Sequence, residues 1–174
     1  MASATLIPVS EYLATSYRPD CDYVDGEVLE RNLGELEHAL LQGILFYVFQ
    51  SNRHSWATVA LLEQRVQVST KRFRVPDITI LRKSAPREPV VTHAPLICIE
   101  ILSKDDTFRS MRQRASEYLQ MGVEHVWILD PATRLASIYT ADGFLEPKTG
   151  ELTVPGTPIR IVLADIFAEL EEGL

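Results

Sequence analysis

Apolar residues recur along this chain at two different periods, and the switches between those periods predict its elements. Leu41, Ile44, Leu45 and Val48 follow helical spacing, so the stretch from Glu35 to Gln50, preceded by Gly34, is read as an amphipathic helix. Phe108, Met111, Ala115, Tyr118 and Leu119 repeat the pattern and predict a second long helix, capped by Asp105 or Asp106 and ended by Gly122. Between the two helices the period drops to two. Strands are predicted over Trp56–Leu62, Gln64–Val68 and, after Pro76, Asp77–Leu81, with 69–72 as a turn. The run Leu96–Leu102 reads L-I-C-I-E-I-L, apolar on both faces, and predicts a strand covered on both sides. Further strands fall over Val126–Leu129, Leu135–Thr140 and Ile159–Val162, and short helices over Ser10–Ser16 and Ala164–Leu170. Asp25-Gly26, set between two extended segments, signals a tight hairpin. Strand, helix, strand across 96–129 forms a βαβ-like unit whose strands run parallel. The expected fold is α/β (α+β): one domain over residues 1–174, with a central mixed sheet flanked by helices.

Bulk properties narrow this picture only slightly. The 174 residues, 46% apolar and 24% charged, suit one soluble domain with a real core. No apolar run nears the roughly 20 residues needed to span a bilayer, and the first residues lack the basic-then-apolar layout of a secretory signal. Cys21 and Cys98 have no zinc-like spacing; Cys98 is expected in the core, and a reduced, cytoplasmic setting is the default. A net charge of −7 argues against a sequence-independent nucleic-acid coat. Local basic groups remain: Lys71, Arg72, Arg74, Arg82 and Lys83 about one strand, and Arg109, Arg112 and Arg114 on the second long helix.

The chemistry lies in two acids that interrupt apolar strands. Glu100 shares a strand face with Leu96, Cys98 and Leu102, where an unpartnered charge costs several kcal/mol, on the order of 3–5 when a pair is broken. A basic side chain, protonation or a metal ion must compensate it. Asp77 opens its own strand with Thr79 and Leu81 on the same face. If the two strands are neighbours, both carboxylates point into one space, and a hard divalent cation, Mg²⁺ or Mn²⁺, relieves their repulsion. The competing reading pairs Glu100 with a nearby arginine and gives Asp77 a capping role. Glu35, His38 and Gln42 fall within about 60° of one another on the first long helix. They make a polar strip that either faces water or lines a cleft opposite the two acids. Glu27 and Glu30 are further acids that spacing does not rank.

Taken together, these blocks resemble a known family. Y-V-D-G-E-V-L-E-R-N, then G-E-L-E-H with Gln42, then R-V-P-D-I-T-I-L, I-C-I-E-I-L-S-K-D-D and R-Q-R-A-S-E-Y-L-Q-M-G-V-E-H-V-W-I-L-D-P follow one another in an order that is specific as a set. The chain resembles the bacterial proteins described as "putative restriction endonucleases", within the PD-(D/E)XK nuclease superfamily. That resemblance implies a restriction endonuclease-like sheet and a metal-dependent endonuclease site for DNA phosphodiesters. Asp77 and Glu100 would be Mg²⁺ or Mn²⁺ ligands, Glu35 an additional acid ligand, and His38 and Gln42 would orient water or the metal shell. The superfamily's lysine stands two residues after the second acid, where this chain has Leu102. Members place a basic residue on the following helix instead, at the position of Arg114, which would contact the scissile phosphate; Lys104 is a second substitute. DNA would approach along the helix arginines and the 71–74 turn, and a homodimer would suit the two strands of a duplex. The alternative is a nuclease fold without cleavage that works as a nucleic-acid-binding or assembly module. A third reading is a structural protein whose acids only pair with arginines.

Overall fold

A computed structural model describes residues 6–31, 35–147 and 149–173. Asn32 and Gly34, which belong to the quoted motifs, lie outside the described residues. The centre is a six-stranded mixed sheet in the order β10-β9-β8-β7-β6-β3. Its strands are β3 (Thr58–Leu62), β6 (Ile78–Arg82), β7 (Ile97–Ile101), β8 (His125–Asp130), β9 (Leu135–Thr140) and β10 (Gly143–Leu145). β7 and β8 are parallel, as the βαβ pattern requires, and the neighbouring pairs are antiparallel.

Alternation along β7 sorts its side chains between two cores. Ile97, Ile99 and Ile101 join the core built with Leu41, Leu45 and Phe49 of α2 (Leu36–Ser51) and Ile166 and Leu170 of α4 (Leu163–Glu172). Cys98 faces the other way, into a core with Met111, Ala115 and Tyr118 of α3 (Phe108–Met121). The sheet is thus covered on both faces, which is why its central strand reads as almost continuously apolar.

A second, four-stranded sheet in the order β2-β1-β5-β4 adjoins the α3 face. It comprises β1 (Asp22–Val24), β2 (Glu27–Leu29), β4 (Val66–Ser69) and β5 (Arg72–Arg74). Asp25 and Gly26 both adopt positive φ, +52° and +105°, the backbone a two-residue hairpin needs. Tyr12 of α1 (Val9–Ala14) stacks on Tyr23 and packs at a tilt against Phe73 of this sheet, ring centroids 4.9 and 5.4 Å apart. A hairpin of β11 (Glu151–Thr153) and β12 (Arg160–Val162) completes the α2 and α4 side.

The differences from the sequence reading are local. Thr107, not Asp105 or Asp106, caps α3: its hydroxyl accepts from the Ser110 amide at 3.1 Å, while the Ser110 hydroxyl accepts from the Thr107 amide. The turn read at 69–72 is tighter, because Ser69 ends β4 and Arg72 begins β5, a strand too short and too basic to show a period. β10 and β11 were equally silent at three residues each. Gly122 ends α3 with φ +101°, a conformation that L-residues rarely hold. Gly122→Ala should therefore lower stability by about 1–2 kcal/mol, measured by urea unfolding, although its added Cβ would meet only ordinary contact with Ala94.

Candidate active site

β6 and β7 pair antiparallel with Ile78 opposite Ile99 and Thr79 opposite Cys98. Continued by one residue, that register sets Asp77 across from Glu100, and opposed residues in a sheet project to the same face. Both side chains are 2% exposed. They meet at a cavity of about 20 Å³, room for a single water-sized particle. Arg31, His38, Ser103, Asp106 and Arg114 complete its wall.

Asp77 is held from three sides. One carboxylate oxygen accepts from the Ile101 amide at 2.7 Å. The other is bound by the Arg31 guanidinium and lies 3.4 Å from His38 Nε2. Gln42 Nε2 donates to the Asp77 backbone carbonyl at 3.0 Å, tying the same residue to α2. Burial would raise the Asp77 carboxyl, but His38, Arg31 and the Ile101 amide outweigh it and hold the group below the usual carboxylate range. Burial also opposes a charge on His38, yet its contact with Asp77 lifts the imidazole above its ordinary value.

Glu100 has the opposite balance. Tyr118 donates its hydroxyl to one oxygen at 2.5 Å, and Arg114 Nη1 donates to the other at 3.2 Å. Complete burial nevertheless pushes Glu100 up to about 7, with Arg114 pulling down and the nearby Asp77 charge pushing up. Two neighbouring carboxylates are thus driven to different protonation behaviour by one being better hydrogen-bonded than the other.

Arg114 reaches beyond Glu100 to Asp22, 3.2 Å away. Asp22 also accepts from Arg74 at 2.8 Å and from the Val75 amide at 2.9 Å. Arg74 in turn holds Glu117 of α3 at 2.6 Å, and Arg72 binds the same carboxylate at 2.9 Å. This chain of buried ion pairs fastens α3 to the small sheet and fixes the angle from which Arg114 enters the site.

The structure therefore brings Asp77, Glu100, Arg114 and His38 to one point and places Gln42 behind it. Glu35 is not brought there. It is the residue before the first turn of α2, more than half exposed, and its carboxylate pairs with Lys104 Nζ at 2.6 Å. It lines an adjoining cleft of about 290 Å³, which shares His38, Ser103 and Asp106 with the cavity. Lys104 points to Glu35 and not to Glu100. The basic 71–74 turn is largely spent on Asp25, Asp22 and Glu117, so it offers less free positive charge than its composition suggests. Arg31, Asp22 and Tyr118 were not identified as site residues from sequence. Arg31 follows β2 in an irregular segment and Asp22 sits in a three-residue strand, where no periodicity marks a facing side chain. Tyr118 was legible as an inward helix position but not as a hydrogen-bond donor.

These shifts set a pH dependence for the protein kept free of divalent ions. Between 4.5, the ordinary glutamate value, and about 7, the unfolded chain has lost the Glu100 proton that the folded chain retains, so stability falls as pH rises through that window. His38 acts in the same direction: its contribution is complete below 6.5 and disappears as pH climbs through its higher folded value. Asp77 acts oppositely, its contribution being present above 3.8 and lost as pH falls below that. Melting temperatures in chelator should accordingly decline between pH 5 and pH 8, and Glu100→Gln should flatten the portion below about 7. An unchanged slope in that variant would contradict the assignment.

The donors suit a hard divalent cation. Asp77 and Glu100 offer carboxylate oxygens, and Mg²⁺ is commonly held by one or two carboxylates with water filling its shell. Among the described residues no group of three or more His, Cys, Asp and Glu side chains is arranged to hold an ion. The fit is thus to a two-carboxylate site, in which Arg31 and Arg114 balance the negative charge in the present arrangement. Among the described residues no helix is long and apolar enough to cross a membrane.

Comparison with known proteins bears on the family and the fold. Residues 9–164 match the model of a family, Uma2, described as "Putative restriction endonuclease". A crystal structure from Anabaena variabilis, described as a "putative nuclease belonging to DUF820", superposes with a TM-score of 0.82. It is 23% identical, and the match covers 94% of this chain and 99% of the other, so the likeness establishes a shared fold. Comparison with curated protein sequences found no match.

Proposed function

The chain belongs to the Uma2 family of "putative restriction endonucleases", and from that premise we propose that it hydrolyses DNA phosphodiester bonds with a divalent cation, Mg²⁺ or Mn²⁺. The observation that carries the proposal is the convergence of the Asp77 and Glu100 carboxylates on one small cavity walled by two arginines.

In this reading Asp77 and Glu100 hold the cation. When bound, the cation supplies Lewis-acid neutralisation of charge on the phosphate. Arg114 stands in for the motif lysine. It stays protonated throughout, so it can stabilise phosphate charge but cannot act as a base. Its hold on Asp22 keeps the guanidinium near the reacting group. His38 and Gln42 position Asp77, through its carboxylate and its carbonyl respectively, and His38 also borders the cleft where water and substrate arrive. Glu35, at the rim of that cleft, is the proposed outer acid, which must leave Lys104 to approach the cation. The attacking water oxygen forms a bond to phosphorus as the bond to the leaving sugar oxygen breaks; the proton lost by the water passes to solvent, and the leaving oxygen takes one up from solvent. A homodimer is the proposed assembly, matching two sites to two strands.

A second reading, a binding or assembly module without cleavage, is favoured by one observation: Leu102 occupies the motif lysine position, and both acids are already paired with arginines. A titration with Mg²⁺ and Mn²⁺ on single-stranded, duplex and branched DNA separates the two. The nuclease reading expects cleavage together with a metal-dependent rise in Tm. Binding without cleavage supports the module. Neither cleavage nor a Tm response would leave the nuclease reading without support.

A further inference from the structure

A second cleft, about 370 Å³, lies along β3, the outermost strand of the large sheet. Its rim carries Arg53, Arg82, Lys83 and Arg87, against one acid, Glu88. This is an unusual concentration of positive charge in a chain of net charge −7. Most of that charge is free to act on a ligand. Lys83 and Arg87 make no ion pair with any described residue, and Arg82 holds Glu124 only through an exposed contact at 2.7 Å. Glu88 is occupied by Thr92, whose hydroxyl donates to it at 2.7 Å.

The floor is different. Leu61, Leu81 and Val91 line it, apolar side chains beneath a basic rim. An apolar floor and a cationic rim together are complementary to a flat heterocycle joined to a phosphate. The volume is that of an ordinary small-molecule site.

We propose that this cleft binds a nucleotide, with its phosphate on Arg82, Lys83 and Arg87 and its base against the aliphatic floor. The site is separate from the candidate active site. Arg82 lies five residues beyond Asp77, roughly 16 Å along the strand at the usual rise. The occupant can be a free mononucleotide or one nucleotide of a longer strand, and the chemistry of recognition is the same for both. This inference does not require the nuclease reading.

Calorimetric titration of the full chain with deoxyadenosine monophosphate, deoxyadenosine and inorganic phosphate tests it. The monophosphate is expected to bind at least about ten-fold more tightly than the nucleoside or inorganic phosphate, because each lacks one half of the recognition. The double substitution Arg82→Gln with Arg87→Gln, at exposed positions, should weaken binding about ten-fold or more with Tm unchanged. Glu100→Gln should leave binding intact, so that loss of cleavage and loss of nucleotide binding are read independently. Displacement of the monophosphate by a single-stranded oligonucleotide would identify the occupant as part of a strand, and its absence a free nucleotide. No binding of the monophosphate, equal binding of nucleoside or inorganic phosphate, or indifference to the two arginine substitutions would overturn the proposal.

Discussion

Glu100→Gln is expected to reduce DNA cleavage at least about a thousand-fold, a loss near 4 kcal/mol of transition-state stabilisation. The single carbonyl oxygen of glutamine can accept from Arg114 while its amide donates to the Tyr118 hydroxyl, so both contacts can persist with Tyr118 turned from donor to acceptor. What disappears is the negative charge that a cation needs and that burial already holds near its titration point. The folded protein should therefore remain intact, and above pH 7 in chelator it should be no less stable than the parent. Asp77→Asn should show the same loss of activity with a different stability result. Asparagine can keep the bond from the Ile101 amide, but Arg31, itself largely buried, loses its main counter-charge. Single-turnover cleavage and unfolding in urea, measured on both variants, distinguish a missing ligand from a collapsed site. Full activity in Glu100→Gln would remove the carboxylate pair from the chemistry.

The largest stability effect should come from outside the cavity. Arg74→Ala is expected to cost about 3–5 kcal/mol, the range for removing one partner of a buried ion pair. Arg74 is 5% exposed and is the shared partner of Asp22 and Glu117, which are buried as well. Arg114 and Arg72 still touch those two acids and offset part of the loss. The variant also has a predictable functional signature. With Arg74 gone, Asp22 can draw Arg114 toward itself and away from Glu100, so cleavage should fall by more than the unfolded fraction explains. Adding Glu117→Gln should recover stability by removing one of the two stranded charges. A double-mutant cycle on these two positions reads their coupling directly. No coupling would mean that the ion-pair chain is not continuous between the small sheet and α3.

Several site residues were legible in the sequence because they violate a local pattern. A carboxylate inside L-I-C-I-E-I-L, and another opening D-I-T-I-L, each contradict a run that burial otherwise explains. Strand parity then assigned their faces. The helical strip of His38 and Gln42 was visible for the same reason, although Glu35 at its start was expected in the same cluster and is paired outward with Lys104. Arg114 was reached through the family likeness, not through spacing, since a basic residue bordering an apolar helical face is ordinary. Arg31, Asp22 and the role of Tyr118 were not legible. Their partners lie 18 to 92 positions away, and nothing in a local period records which distant side chain will supply a counter-charge.

By itself, the sequence determined the alternating strands, the two long helices, the parallel step across 96–129 and the presence of two misplaced acids. Each follows from short-range sterics and from the period at which apolar groups must leave water. Only the tertiary structure decided that β6 and β7 are antiparallel neighbours, in a register that sets Asp77 opposite Glu100. It also decided that Arg31 and Arg114 supply the balancing charge, that Arg74 is buried against Asp22 and Glu117, and that a basic cleft opens along β3. The physical reason is that charge compensation in a buried site is a long-range requirement. It can be met by any suitable residue that the packing brings close, and packing is fixed by the whole core.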